Sequence, residues 1–172
     1  MRALGPGSVS SLLKIILDVV FFALWAGIAV LGLVTLAALL LSFDPELLSG
    51  IAGREVSSRG PVLVGGLLAM MLYTGGVLVI VDRLRRIFAT LTAGDPFHPD
   101  NVRRLRVIGL MLAGLELGRY LVWILGVSLI SHVDRVEPSF SLTAWFSVLV
   151  VFVLAEVFRE GARLRREAEL TI

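Results

Sequence analysis

Residues 61–106 read PVLVGGLLAMMLYTGGVLVIVDRLRRIFATLTAGDPFHPDNVRRLR, so that an apolar run passes directly into an arginine-rich polar segment. The apolar part, residues 61–81, is close to the roughly 20 residues that a helix needs to cross about 30 Å of hydrocarbon. Similar runs occupy residues 19–41, 107–130 and 142–158. The sequence therefore predicts an all-α membrane protein, in which residues 1–172 form a single domain built as a bundle of four transmembrane helices.

Basic residues are concentrated on one side of these spans. Placing both termini and residues 82–106 on the same side leaves only Arg54, Arg59 and Arg135 in the opposite loops. By the positive-inside rule, the arginine-rich side is cytoplasmic, and so are both termini. This side holds 12 of the 16 Lys and Arg residues, namely Arg2, Lys14, Arg83, Arg85, Arg86, Arg103, Arg104, Arg106, Arg159, Arg163, Arg165 and Arg166.

Composition excludes several classes of protein. The chain is 57% hydrophobic and has no cysteine, so disulfides, Fe–S clusters and cysteine nucleophiles are excluded. The pI is about 9.7, but topology accounts for the basic excess, and attraction to anionic membrane lipid adds to it. We therefore predict membrane lipid as a partner and no direct contact with nucleic acid.

The segment between the second and third spans has the features of a helical hairpin. Leu84, Ile87, Phe88 and Leu91 recur at helical spacing. Gly94 predicts a helix stop, and Pro99-Asp100-Asn101 predicts the cap of the next helix. The cytoplasmic hairpin is thus predicted over residues 82–106. A cytoplasmic tail, residues 159–172, is predicted to be helical, with ion pairs between Glu156 and Arg159, Glu160 and Arg163, and Arg165 and Glu169.

Small residues recur four positions apart within the spans. The pairs are Ala23 and Gly27, Gly65 and Ala69, Gly109 and Ala113, and Gly114 and Gly118. Because small side chains let helix backbones approach closely in lipid, these pairs favour a tight bundle.

Glu116 and Arg119 lie deep in the third span. A charge at the bilayer centre costs on the order of 2.5–3.5 kcal/mol on insertion scales, so both should face the bundle interior. They indicate either a ligand, ion or proton site, or an internal ion pair that fixes the rotation of the helix with help from Tyr120 or Tyr73.

The usual signatures of catalysis and metal binding are missing from the sequence. There is no His-Glu-x-x-His, Walker or Gly-x-Ser-x-Gly motif. His98 lies between Asp95 and Asp100, but a metal needs three or four converging ligands, and the other histidine, His132, is on the far side. We predict no metal, no cofactor and no enzymatic activity.

Two blocks of sequence carry a family resemblance. The first is Gly94-Asp95-Pro96-Phe97-x-x-x-Asn101-x-x-Arg104-Leu105-Arg106, and the second is Val157-Phe158-Arg159-Glu160-Gly161-Ala162-Arg163-Leu164-x-x-Glu167-x-x-Leu170-Thr171-Ile172. At these places among four spans they resemble the bacterial domain-of-unknown-function family 2975. Members are often encoded beside a small Cro/CI-type helix-turn-helix regulator. The resemblance implies a multi-pass protein of the bacterial cytoplasmic (inner) membrane that holds or controls such a regulator.

On this hypothesis the protein is a non-enzymatic regulator that sequesters the cytoplasmic helix-turn-helix protein. In the alternative for the two blocks, the loop residues only build the turn, Phe97 folds back on the bilayer, and the tail packs beneath the bundle. A second functional hypothesis is a small transporter or channel subunit that uses Glu116 and Arg119 as a homo-oligomer. The candidate partner-binding residues are Asp95, Pro96, Phe97, Asn101, Arg104, Arg159, Arg163, Leu164, Leu170, Thr171 and Ile172.

Overall fold

A computed structural model describes residues 9–42, 50, 60–129 and 140–170 of the chain. Within them lie four long helices: α1 (Val9–Ser42), α2 (Gly60–Thr92), α3 (Pro99–Leu129) and α4 (Leu142–Leu170). Each is long and apolar enough to cross a membrane, and none of the described residues forms a strand. The prediction of an all-α bundle of four transmembrane helices is confirmed.

All four helices continue beyond their predicted spans at one end of the bundle, where α1 already begins at Val9. α2 runs on to Thr92, α3 begins at Pro99, and α4 reaches Leu170, so the predicted helical hairpin is confirmed. Contacts of residues 82–106 with the start of α1 and with the end of α4 define what we call the hairpin end. Its cytoplasmic orientation stays a prediction from the distribution of arginines, and the opposite-loop residues Arg54, Arg59, His132 and Arg135 lie outside the described residues.

Helix packing follows the order of the chain. α1 packs on α2, α2 on α3, and α3 on α4, without comparable contact between α1 and α4 in the described ranges. The bundle is therefore open on one side. Its buried core lies where α2, α3 and α4 meet near the hairpin end, around Ile87, Leu105, Ile108 and Ala155.

Along the predicted spans, most of the remaining helix surface is apolar and exposed, as lipid contact requires. Leu33 on α1 is 68% exposed and Leu72 on α2 is 78% exposed. An interhelical ion pair joins α1 to α2 at the hairpin end, where Arg85 Nε donates to Asp18 Oδ1 over 2.5 Å. The Arg85 guanidinium also lies 4.1 Å from the centre of the Phe21 ring, so a cation–π contact supports the same pair.

Most of the small-residue pairs do not bring helices together, and this part of the prediction is wrong. A Cβ atom added at Gly27, Gly65, Gly114 or Gly118 would meet nothing within 4 Å. Close packing occurs at Gly109, which belongs to one of the predicted pairs, and at Gly76, which does not. The Leu115 side chain lies against Gly76, and the Phe152 ring comes within 3.0 Å of a Cβ built on Gly109.

Candidate functional site

The hairpin turn begins where α2 ends at a left-handed glycine. Gly94 has a φ of 83°, its N–H donates to Leu91 O over 3.1 Å, and the Asp95 N–H donates to Thr90 O over 3.0 Å. These two bonds form a Schellman motif, which needs a residue without a Cβ at this position. The predicted helix stop at Gly94 is confirmed.

The cap of α3 lies one residue earlier than predicted. His98 O accepts the Asn101 N–H over 2.9 Å, and His98 Nδ1 accepts the Asp100 N–H over 3.2 Å. Pro99 is then the first helical residue, a position where its missing N–H costs nothing. His98 therefore has a structural role at the start of α3, beside the Asp100 carboxylate at 3.7 Å.

Asn101 is completely buried and joins both arms of the hairpin. Its Nδ2 donates to Thr90 Oγ1 over 2.8 Å and to Pro96 O over 3.1 Å. Its Oδ1 accepts from Arg104 Nη1 over 2.9 Å, which also donates to Arg86 O over 3.1 Å. Because every polar atom of its side chain is used inside the turn, Asn101 builds the hairpin and offers no exposed surface to a partner.

The loop packs on the C-terminal part of α4. The Phe97 ring centre lies 5.8 Å from that of Phe158, and two of its ring atoms are 2.5 Å from where a Cβ on Gly161 would stand. Asp95 Oδ1 forms an ion pair with Arg165 Nη1. From the sequence alone, Gly161 is expected only to weaken the helix. In the structure, its missing Cβ leaves the space in which Phe97 docks on α4, so that Phe97 does not fold back on the bilayer.

These contacts join the two blocks that carry the family resemblance. Residues 94–106 and 156–170 are far apart in sequence, yet they meet through Phe97 with Gly161 and through Asp95 with Arg165. We call residues 82–106 and 156–170 the hairpin–tail module. The contact between the two blocks is visible only in the tertiary structure, because neither block contains a sequence pattern that identifies the other as its partner.

The outward surface of the module combines charge with apolar groups. All three ion pairs predicted along the tail are present: Glu156 with Arg159, Glu160 with Arg163 at 2.6 Å, and Arg165 with Glu169 at 2.9 Å. Leu164 is 54% exposed and Leu170 is 82% exposed. The candidate residues Thr171 and Ile172 lie outside the described residues.

A cavity of about 520 Å³ opens beside this surface, between the start of α3 and the tail. Arg106 from α3 and Arg159, Arg163 and Arg166 from α4 line it, together with Glu160. In the part of the chain that the structure describes, Arg106 and Arg166 have no acidic group within 4.0 Å. The cavity is therefore positively charged and suits an acidic surface or an anionic group.

The intramembrane polar residues form a cluster within α3 itself. Glu116 Oε1 accepts from Arg119 Nη2 over 2.6 Å and from the Tyr120 hydroxyl over 2.9 Å. Tyr120, rather than Tyr73, is the tyrosine that takes part. Glu116 is buried, whereas Arg119 also lines an apolar cavity of about 660 Å³ between α2 and α3. The negative charge of Glu116 and the positive charge of Arg119 compensate each other, and the Arg119 side chain also lines the cavity.

Among residues 9–42, 50, 60–129 and 140–170, no group of three or more His, Cys, Asp or Glu side chains is placed to hold a metal ion.

Comparison with known proteins gives one match. The sequence model of a family described as "Protein of unknown function (DUF2975)" matches residues 28–172, from the middle of α1 to the end of the chain. No curated protein matches, and no solved structure matches.

Proposed function

The chain belongs to the DUF2975 family of proteins of unknown function, and we propose that it is a non-enzymatic regulatory membrane protein. In this proposal the hairpin–tail module faces the cytoplasm and binds a helix-turn-helix transcriptional regulator. Binding holds the regulator at the membrane and away from DNA. The observation that carries the proposal is the convergence of the two family blocks into one interlocked module.

The module has the properties of a docking platform. Its inner contacts are fixed by the buried Asn101 and by Phe97 on Gly161, so its shape is defined before a partner arrives and less ordering is needed on binding. Its outer face presents Leu164 and Leu170 in an otherwise charged helix. Burial of apolar side chains outside the membrane against a partner removes them from water and so favours binding.

Within the candidate set, the structure divides residues by accessibility. Asn101 and Arg104 support the turn, and Asp95 and Phe97 connect it to α4. The partner-contacting surface that we propose therefore centres on the tail: Arg159, Arg163, Leu164 and Leu170 from the candidate set, with Arg166 added because it lines the same cavity.

The test is a pulldown of tagged protein in mild detergent from its native host, followed by mass spectrometry and by binding of the purified captured regulator. We expect a small helix-turn-helix protein with the wild type and with the control variant Lys14→Gln. Lys14 is an exposed cation on α1, outside the module. Deletion of residues 167–172, and separately the substitution Leu164→Ser, should abolish capture.

Sequestration also predicts a result that can be measured with the purified proteins. The membrane protein in micelles should compete with operator DNA for the regulator, measured by fluorescence anisotropy of labelled DNA. Capture without competition would contradict sequestration, and equal capture by the tail-deleted variant would contradict the proposed surface.

One observation favours a second candidate, a transporter or channel subunit. Arg119 reaches the cavity of about 660 Å³ between α2 and α3, so a charged group lines a space inside the membrane region. The described helices form an open row, and a closed path would need several copies. Ion or solute flux in proteoliposomes, lost in Glu116→Gln/Arg119→Gln and independent of any soluble protein, would support this candidate.

A further inference from the structure

A second arginine-rich cleft lies at the hairpin end, and none of its lining residues lines the cavity beside the tail. It has a volume of about 260 Å³ and lies between the end of α2 and the start of α3. Four guanidinium groups and a single carboxylate converge on it. Its lining residues are Arg83, Arg86, Asp100, Arg103, Arg104 and Val107.

The positive charge of this cleft is only partly compensated. Asp82 is shared, with its Oδ2 3.0 Å from Arg86 Nε and 3.8 Å from Arg83 Nη1. Arg104 lies 3.9 Å from Asp100. Arg103 has no acidic group within 4.0 Å among the described residues, so four cations face two carboxylates.

Two further observations indicate an anionic ligand. Arg83 Nε is buried without a hydrogen-bond acceptor in the described part of the chain, and since buried donors are normally paired, an acceptor from a ligand would satisfy it. Arg104 is held in place by its bonds to Arg86 O and Asn101 Oδ1, so part of the cleft is preorganised. Guanidinium groups bind phosphate oxygens through paired, charge-assisted hydrogen bonds.

The position of the cleft indicates where the phosphate would come from. Arg83 is the second residue after the predicted second span, and Val107 is the first residue of the predicted third span, so the cleft lies at the height of lipid headgroups. Leu110 lies one helical turn from Val107 toward the membrane and is 59% exposed. An acyl chain along this face of α3 would continue from a phosphate in the cleft.

We propose that this cleft binds a phosphate oxyanion, carried either by an anionic phospholipid headgroup or by a soluble phosphate compound. Arg83, Arg86 and Arg103 contact the anion, and Arg104 connects the two arms of the cleft through its bond to Arg86 O. The site is separate from the partner surface of the tail, and the inference does not depend on the capture of a regulator.

The test compares binding by purified full-length protein in uncharged detergent, where no membrane surface potential contributes. Native mass spectrometry counts retained phosphatidylglycerol, with phosphatidylcholine as the zwitterionic reference and inorganic phosphate as the soluble probe. The test variant is Arg86→Gln/Arg103→Gln. The control Lys14→Gln removes one positive charge outside both arginine-lined cavities and is compared with the single variant Arg103→Gln, and circular dichroism verifies that all variants fold.

We expect the wild type and the control to retain phosphatidylglycerol in preference to phosphatidylcholine. Each basic residue near an anionic lipid contributes about 1 kcal/mol, so the test variant should bind at least about tenfold more weakly. Binding of inorganic phosphate without lipid preference, lost in the same variant, would support the site and assign it to a soluble phosphate. Equal binding by test and control variants, or no preference for either anionic probe, would overturn the proposal.

Discussion

Replacing Gly161 by alanine should have two opposing effects on the free energy of unfolding. An alanine in the interior of α4 should be more favourable than glycine by about 1 kcal/mol from helix propensity alone. Against this, the new Cβ would stand 2.5 Å from two atoms of the Phe97 ring, whereas ordinary contact begins near 3.4 Å. The ring must therefore move by almost an ångström, away from its contact with Phe158 one helical turn earlier in α4.

The cost of displacing the ring follows from its burial. Phe97 is 38% exposed, and complete burial of such a side chain stabilises by about 1.5–3 kcal/mol, so loss of its docking should cost about 1–2 kcal/mol. Gly161→Ala should then be neutral to mildly destabilising in the wild type, yet stabilising by about 1 kcal/mol in a Phe97→Ala background. The coupling energy of the double-mutant cycle should be about 1–2 kcal/mol.

The assay is unfolding of the micelle-embedded protein by SDS titration, followed by far-UV circular dichroism, on the wild type, both single variants and the double variant. Gly66→Ala in α2 is the matched control, because a Cβ at Gly66 meets nothing within 4 Å, and it should not depend on Phe97. If Gly161→Ala changes the stability equally with and without the Phe97 ring, the docking of the hairpin on the tail is wrong.

Three further substitutions test other contacts of the bundle. Asn101→Ala should lower the free energy of unfolding by about 2–3 kcal/mol in the same SDS titration, because it leaves buried partners unsatisfied. A stability unchanged by this variant would contradict the network. Asp18→Asn should cost about 1 kcal/mol or less, since the pair with Arg85 is partly exposed, and the exchange Asp18→Arg/Arg85→Asp should recover part of it if the two side chains touch. Glu116→Gln should reduce membrane insertion more than Glu116→Gln/Arg119→Gln does, because it leaves a cation in the span at a cost of about 2.5–3.5 kcal/mol. Greater loss in the double variant, measured by a glycosylation-based insertion assay, would show that the pair does more than neutralise itself.

Much of the architecture could be predicted because it is encoded locally. The apolar runs gave the four helices, and Gly94 with Pro99 gave the turn between α2 and α3. The stripe of Leu84, Ile87 and Leu91 predicted the face of α2 that reaches the core. Each of these depends on hydrophobicity or backbone preference within a few residues, so no knowledge of neighbouring helices was needed.

The small-residue pairs show where local patterns fail in a membrane. Gly114 and Gly118 have the spacing of a packing motif, but a Cβ built on either would meet nothing within 4 Å, and both line the cavity between α2 and α3. Lipid tails and helix interfaces are both apolar, so the hydrophobic pattern of a span does not distinguish its lipid-facing side from its packed side. The rotation of each helix is set only when the bundle assembles.

The sequence by itself determined which segments can cross a bilayer, that α2 and α3 form a hairpin, and where the arginines accumulate, because these follow from composition along the chain. Only the tertiary structure decided that Phe97 docks on Gly161, that Asp18 pairs with Arg85, and that Arg86 and Arg103 share a cleft. The physical reason is that these contacts join different helices or opposite arms of a turn. Their partners are selected by helix rotation and register, which depend on packing across the whole bundle rather than on any one segment.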